Sequence, residues 1–213
     1  MYDLFAQKIV PKKKIDSHDL NDTIRIKPIG FSNRIFKNQF PSGELGNLIA
    51  DAVKNEIEIS LKKRLDFVYI PRTAIRSNLP KGNVGVEDID NILPFNDSLA
   101  IIEVLGTDLN KLMNVIAQKG GGAISGGHFK IKSMHAEDID VDGDSIHLNN
   151  QYSIATLLRN VKGRENCSML IAYPYKIFEI TLTSLLIKYI EKITYDSRPI
   201  SPSYEHRISY KND

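Results

Sequence analysis

Three short segments of this sequence carry residue types that are typical of functional sites, and each suggests a different chemistry. The first of them is rich in glycine. Residues 120–127 contain five glycines. A loop that binds phosphate needs a Lys-Ser/Thr pair directly afterwards and then a helix. Here His128-Phe129-Lys130 follows, and the pattern turns to that of a strand. We therefore predict a helix end and a hairpin turn rather than a phosphate site.

The second segment, residues 138–144, is similar to a calcium-binding loop. It has aspartates at loop positions 1, 3 and 5 and a glycine at position 6. Position 12 should supply a bidentate carboxylate, but it is Asn149, and the flanking residues read as strands rather than helices. The segment is therefore predicted to be a solvated acidic hairpin.

The third segment, Asp16-Ser17-His18, has the Asp-x-His spacing that begins a two-metal phosphoesterase site. Such a site needs several further His and Asp ligands from later loops. The remaining histidines are scattered: His128, His135, His147 and His206. Cys167 is a lone cysteine, which is more often a small buried residue than a nucleophile. We predict no catalytic residue and no metal site in this chain.

The composition is that of a globular protein. The 213 residues are 42% hydrophobic and 25% charged, with a formal net charge of +2. This balance gives no electrostatic reason to expect nucleic acid as a partner. No apolar run reaches about 18 residues, so we predict no membrane span. The N-terminus has no signal-type apolar stretch, which leaves two alternatives open: a cytosolic chain, or a secreted chain that has been processed or trimmed.

Apolar spacing predicts three main helices. The first begins at Ser42 as its N-cap, the second begins at Thr107 as its N-cap, and the third covers about residues 179–193. Strands are predicted over residues 66–70, 99–104 and 169–173, in hairpins within 123–161, and at 207–209. Residues 1–40 are predicted to be an N-terminal extension with an edge strand at 23–29, and residues 41–213 one domain. Because helices and strands do not alternate strictly, we predict an α+β fold with a mixed sheet and packed helices.

Six segments follow one another in an order that carries further information: Leu45-Gly46-Asn47-Leu48-Ile49-Ala50-Asp51-Ala52, Ala74-Ile75-Arg76-Ser77-Asn78-Leu79-Pro80-Lys81-Gly82, Leu93-Pro94-Phe95-Asn96-Asp97, Leu105-Gly106-Thr107-Asp108-Leu109, Ser125-Gly126-Gly127 and Tyr152-Ser153-Ile154-Ala155-Thr156. In this order they resemble the motifs of the 5′-nucleotidase C-terminal domain family. The resemblance extends over roughly residues 41–193. It implies the fold of that domain, in agreement with the α+β prediction.

The resemblance also implies a function. In this family the C-terminal domain holds the substrate, and the two catalytic metals lie in a separate N-terminal metallophosphatase domain. We therefore expect a nucleotide or nucleoside ligand, a metallophosphatase chain as partner, and no cofactor in this chain; divalent metals would act only through that partner. Relatives are often periplasmic or secreted. The resemblance leaves open whether this chain is itself an enzyme.

The resemblance implies that four residues bind substrate. Arg76 matches the family arginine that contacts phosphate or ribose, and Phe95 matches an aromatic residue that stacks on the base. The alternative for Phe95 is plain core packing after a turn. Arg159 stands where the family has its second aromatic residue, and its guanidinium could still stack on a base. Glu165 stands where the family has Asp and could accept a hydrogen bond from a sugar hydroxyl.

Other ligand positions depart from the family pattern. The family asparagine falls on Pro71, its Gly-Gly pair falls on Thr73-Ala74, and a further arginine falls on Pro41. The bulk at Thr73-Ala74 could close a backbone approach that glycine leaves open. These departures favour an alternative function: a non-catalytic interaction module that has lost the nucleotide pocket.

Overall fold

The computed structural model describes residues 28–196 and 198–211. Asp16-Ser17-His18 and most of the edge strand predicted at 23–29 lie outside these residues. Within the described part, Pro28 and Ile29 are not in a strand, and the first strand begins at Gly30. Ile29 and Phe36 are nevertheless buried in a hydrophobic core that they share with the first helix. The domain boundary at residue 41 stays a prediction.

The described residues form five α-helices and eleven strands. The helices are α1 (Glu44–Leu61), α2 (Val86–Ile92), α3 (Gly106–Gln118), α4 (Leu158–Val161) and α5 (Leu182–Tyr195). The strands are β1 (Gly30–Ser32), β2 (Phe67–Pro71), β3 (Gly82–Val84), β4 (Ser98–Leu105), β5 (Gly122–Ser125), β6 (Gly127–Lys132), β7 (His135–Val141), β8 (Asp144–Ser145), β9 (Gln151–Leu157), β10 (Tyr175–Thr181) and β11 (Ile208–Tyr210).

The central sheet has five strands in the order β10-β4-β9-β2-β5. The β2–β9 pair is parallel and the other neighbours are antiparallel, so the sheet is mixed. A second sheet has the order β11-β6-β7-β8, in which only β11 and β6 are parallel. A short β1–β3 pair completes the described strands. The predicted α+β class is confirmed.

The central sheet separates two hydrophobic cores, because successive side chains of a strand point to opposite faces. Along β2, Val68 and Ile70 pack with α1 and α5, whereas Phe67 and Tyr69 pack with α3 and β6. All four side chains are fully buried. The sequence of a strand that is buried on both faces is a continuous apolar run, and the sequence of β2 has this pattern.

Both predicted helix caps are wrong by one or two residues. Gly43 is the N-cap of α1, and the Ser42 hydroxyl instead donates to Asn47 Oδ1 at 3.4 Å. α3 follows β4 directly, with Leu105 as its N-cap, so Thr107 lies inside the helix. The Thr107 amide donates to the carbonyl of Leu148 at 3.0 Å. At α3, contacts with distant residues thus satisfy amides that a local cap would have satisfied.

Two predicted segments near the C-terminus also differ. Residues 169–173 do not form a strand; Ser168–Leu170 is a 3-10 turn that buries Leu170. A short apolar run does not distinguish a buried strand from a buried turn, because both bury the same side chains. The last helix begins at Leu182 rather than near residue 179, because the residues before it pair with β4 as part of β10. The short strand predicted at 207–209 is confirmed as β11.

A buried carboxylate joins α1 to α5. The Glu56 side chain is 3% exposed and accepts from Lys192 Nζ at 3.0 Å and from Lys188 Nζ at 3.1 Å. Burial raises the pKa of Glu56, but the hydrogen bonds and charges of the two lysines outweigh it, so the net pKa lies below the usual value. The folded protein therefore holds this carboxylate in its charged form.

Glu56→Gln is expected to lower the free energy of unfolding by about 1–2 kcal/mol at pH 7, because charge-assisted hydrogen bonds become neutral ones. A lowered folded-state pKa stabilises the protein above the unfolded-state pKa, near 4.3, and this contribution is lost as pH falls through the folded-state pKa. Urea unfolding at pH 7 and about pH 3 should show the difference disappear. Glu103→Gln, which alters an exposed pair with Lys63, is the control. A difference independent of pH would contradict this account.

Candidate functional site

The candidate site is built where β2 leaves the central sheet. After Pro71 the chain makes a 3-10 turn, Arg72–Ala74, and then continues to Arg76. The Arg76 amide donates to the carbonyl of Ile92 at 2.9 Å, which ties this segment to the end of α2. The loop after α2 contains Phe95. Two segments that are separate in sequence are thereby brought side by side.

The structure brings three of the four predicted residues together around one aromatic ring. The guanidinium carbon of Arg76 lies 5.0 Å from the ring centroid of Phe95, and that of Arg159 lies 5.9 Å from it. Phe95 is 48% exposed, so it is not a core residue. These are cation–π distances, and they leave the ring part of a surface that a ligand can reach.

Glu165 joins the same site through a chain of polar contacts. Thr73 Oγ1 donates to Glu165 Oε1 at 2.7 Å, and Lys119 Nζ donates to Glu165 Oε2 at 2.7 Å. Arg159 Nη2 lies 3.5 Å from Thr73 Oγ1 and 3.4 Å from Asp97 Oδ2. Both Glu165 oxygens already have a protein partner, so its geometry fits holding Lys119 and Thr73 in place. Its predicted contact with a sugar hydroxyl stays a prediction.

The two carboxyl groups of the site, Asp97 and Glu165, have pKa values shifted in opposite directions. Burial raises the pKa of Asp97, although the nearby Arg159 acts in the opposite direction. Burial also raises the pKa of Glu165, but hydrogen bonds from Lys119 and Thr73 reverse the effect and leave the pKa lowered. Beneath the site, burial raises the pKa of Cys167 to about 11. Its thiol is therefore protonated near neutral pH, which is consistent with a packing role.

Several members of this cluster were not predicted from the sequence. Asp97 lies within the Leu-Pro-Phe-Asn-Asp segment that carries the resemblance, so its position was a usable signal. Lys119 follows α3 with no local motif to distinguish it. Thr73 was considered only for its bulk, yet its hydroxyl links Glu165 to Arg159. Tyr69 Oη and Arg159 Nε, both buried, have no hydrogen-bond partner among the described residues.

The site is an open surface rather than a deep pocket. The recess beside Phe95, lined also by Ala74, Leu93 and Thr183, has no room for a water molecule.

No group of three or more His, Cys, Asp or Glu side chains in the described part of the chain could hold a metal ion. The acidic segment 138–144 forms the end of β7, a turn and the first residue of β8, which pairs antiparallel with β7 as expected for a hairpin. Among residues 28–196 and 198–211, no helix is long and apolar enough to cross a membrane.

Comparison with known families identifies the class of this protein. The family model described as "5′-nucleotidase, C-terminal domain" matches residues 25–171. The match covers four of the five strands of the central sheet, α1 to α4 and all four predicted site residues. The chain belongs to the 5′-nucleotidase C-terminal domain family.

Solved structures show the same fold in larger proteins. A 5′-nucleotidase precursor from Thermus thermophilus superposes with a TM-score of 0.75 at 17% identity, covering 87% of this chain and 40% of that one. A putative 5′-nucleotidase from Staphylococcus aureus gives 0.69 at 13% identity, covering 95% and 46%. An NAD nucleotidase from Haemophilus influenzae gives 0.65 at 16% identity, covering 87% and 36%. This chain thus spans less than half the length of each.

One curated protein is similar in sequence over a shorter stretch. It is endonuclease YhcR from Bacillus subtilis (strain 168), which is 36% identical over 70 residues. That stretch is 33% of this chain and 5% of the relative. The similarity therefore concerns only a short stretch of that much longer protein.

Proposed function

We propose that this domain binds a nucleotide or nucleoside at Phe95 and acts together with a metallophosphatase domain in nucleotide hydrolysis. The observation that carries the proposal is the convergence of Arg76, Phe95 and Arg159. These residues are up to 83 positions apart in sequence, yet both guanidiniums lie within 6 Å of one exposed ring.

The geometry suits a flat ligand with a negatively charged group. A base would stack on the exposed ring of Phe95, while Arg76 would donate to phosphate or ribose oxygens through its planar fork. Arg159 would contact the base or the phosphate by exchanging its long contacts with Asp97 and Thr73, of 3.4 and 3.5 Å, for shorter ones. Glu165 would position Lys119 beside the ligand.

The partner is proposed from the openness of the site and from the size of the solved relatives. A ligand on Phe95 would remain partly exposed, whereas ligand sites usually bury most of the ligand. The superposed nucleotidases are more than twice the length covered by this chain. A second domain with a metal centre would both cover the ligand and supply the hydrolytic chemistry.

A second function is favoured by a different observation. Asp97 and Glu165 already engage Arg159 and Lys119, and the recess beside Phe95 is too small for a water molecule. When protein carboxylates pair with these cations, the cations have less need of a phosphate partner, and the site then only stabilises the fold. The domain would then be an interaction module that keeps the fold without the ligand.

Phe95→Ala is expected to weaken nucleotide binding about tenfold, because the stacking surface for the base is removed. Thermal unfolding of the whole chain with AMP, adenosine or UMP measures this, since a ligand that binds only the folded state raises the midpoint. Tyr195→Ala is the matched control, because Tyr195 is 90% exposed on α5 and outside the site. If no nucleotide raises the midpoint of the unaltered protein, the interaction module is the better description.

A further inference from the structure

A second arginine–aromatic pair lies beside the first. The guanidinium carbon of Arg72 is 4.8 Å from the ring centroid of Phe40, close to the 5.0 Å found for Arg76 and Phe95. Arg72 is exposed, and Phe40 packs in neither of the two cores of the described residues. A planar guanidinium backed by a ring on one face presents its other face to another flat group.

The two pairs lie near each other because both arginines come from the same short segment. Residues 72 and 76 are four positions apart, so their Cα atoms are separated by at most about 14 Å even in a fully extended chain. The 3-10 turn Arg72–Ala74 shortens that separation further. Gly120 lies beside Arg72, and a Cβ there would come within 3.5 Å of Arg72 Nη1. The Tyr210 hydroxyl lies on the same side, 3.8 Å from that Cβ position.

The surface between the pairs is polar and carries an excess of positive charge. Arg72 Nη1 donates to the carbonyl of Lys119 at 3.1 Å, and the Lys119 ammonium bonds Glu165. From Glu165 the contacts continue through Thr73 to Arg159, which borders Phe95. Four cationic side chains face two carboxylates here: Arg72, Arg76, Lys119 and Arg159 against Asp97 and Glu165. A chain with almost balanced total charge thus concentrates cations between two stacking surfaces.

We propose that Phe40 and Arg72 form a second base-binding subsite, so that the ligand is a nucleotide whose phosphate carries a second base. This inference rests on the proposed function, because the first base would occupy Phe95. The linking phosphate would lie over the cationic surface, and the second base would stack on the outer face of Arg72. Unpaired bases stack on aromatic rings and on guanidinium planes alike. The second base can belong to a dinucleotide or to the end of a single-stranded oligonucleotide.

The test compares the affinities of the whole chain for AMP, for 3′–5′-linked adenylyl-adenosine, for pyrophosphate-linked diadenosine and for a five-residue oligoadenylate. The two-base ligands are expected to bind at least about fivefold more tightly than AMP. Charge does not explain such a gain for adenylyl-adenosine, because its single diester carries less negative charge than the terminal phosphate of AMP. Equal affinities for AMP and the two-base ligands would overturn the second subsite. A further gain with oligoadenylate supports an oligonucleotide end, and no further gain supports a dinucleotide.

Variants of Phe40 and Arg72 test whether these residues cause the tighter binding of the two-base ligands. Arg72→Lys keeps the charge but removes the plane, and Phe40→Leu removes the ring; each is expected to abolish most of the gain and change AMP affinity less than twofold. Arg198→Lys, at an exposed arginine paired with Asp196, is the control. A gain that persists in both subsite variants would overturn the inference. If AMP binding depends on Phe95 but the gain is missing, only the second subsite fails; if no nucleotide binds, the proposed function fails as well.

Discussion

Replacing Gly121 by alanine is expected to lower the free energy of unfolding by about 3–5 kcal/mol, because the new methyl group meets backbone rather than a mobile side chain. Gly121 has a φ of +108°, where L residues are strained. A Cβ there would lie 2.2 Å from the carbonyl oxygen of Pro41 and 2.4 Å from its Cα. The segment before α1 would have to move away from β5, whose first residue, Gly122, donates to that same carbonyl at 3.2 Å.

Urea unfolding measures the loss, and a fall in the thermal midpoint of about 10 °C or more should accompany it. Gly143→Ala is the matched control, because Gly143 also has a positive φ, +87°, but has no atom within 4 Å of its added Cβ. The control should cost only about 1–2 kcal/mol of backbone strain. Equal losses in the two variants would show that the close approach to Pro41 contributes nothing.

Replacing Arg207 by methionine is expected to lower the free energy of unfolding by about 2–4 kcal/mol, since it leaves buried acceptors without their donor. Arg207 is 6% exposed. Its guanidinium donates to both carboxylate oxygens of Asp51, at 2.7 and 2.8 Å, and to the carbonyl of Ile124 at 2.8 Å. These bonds hold the segment that precedes β11 against α1 and β5. Asp51 is partly exposed, so water would recover a share of the loss.

Arg198→Met is the control for Arg207→Met, because it removes the same charge from an exposed pair with Asp196. Exposed pairs contribute little, so its effect should stay below about 0.5 kcal/mol. Chemical unfolding of both variants at one salt concentration makes the comparison. A loss for Arg207→Met no larger than that of the control would mean that the segment before β11 is held by apolar contacts alone.

Much of the site could be foreseen from the sequence because its motifs are local. Leu-Pro-Phe-Asn-Asp is contiguous, and so is the segment that contains Arg76, so each could be recognised without knowing the fold. Arg159 and Glu165 were found only by their positions relative to those motifs. Lys119 and the Phe40–Arg72 pair were missed, because neither belongs to a recognised motif and each is brought to the site by the ends of other elements.

The sequence alone determined the classes of the main elements. Helical spacing of apolar residues predicted α1 and α3, an unbroken apolar run predicted β2, and Asp142-Gly143 predicted the turn between β7 and β8. By contrast, β5 and β6 do not form a hairpin at Gly126-Gly127, because they belong to different sheets. The tertiary structure decided what local signals leave ambiguous: the caps of α1 and α3, the 3-10 turn at Ser168–Leu170, and the start of α5. In each case distant backbone partners or burial outweighed a local preference worth about 1 kcal/mol. For the same reason only the packed chain shows that contacts through Lys119, Glu165 and Thr73 link Arg72 to Arg159 beside Phe95.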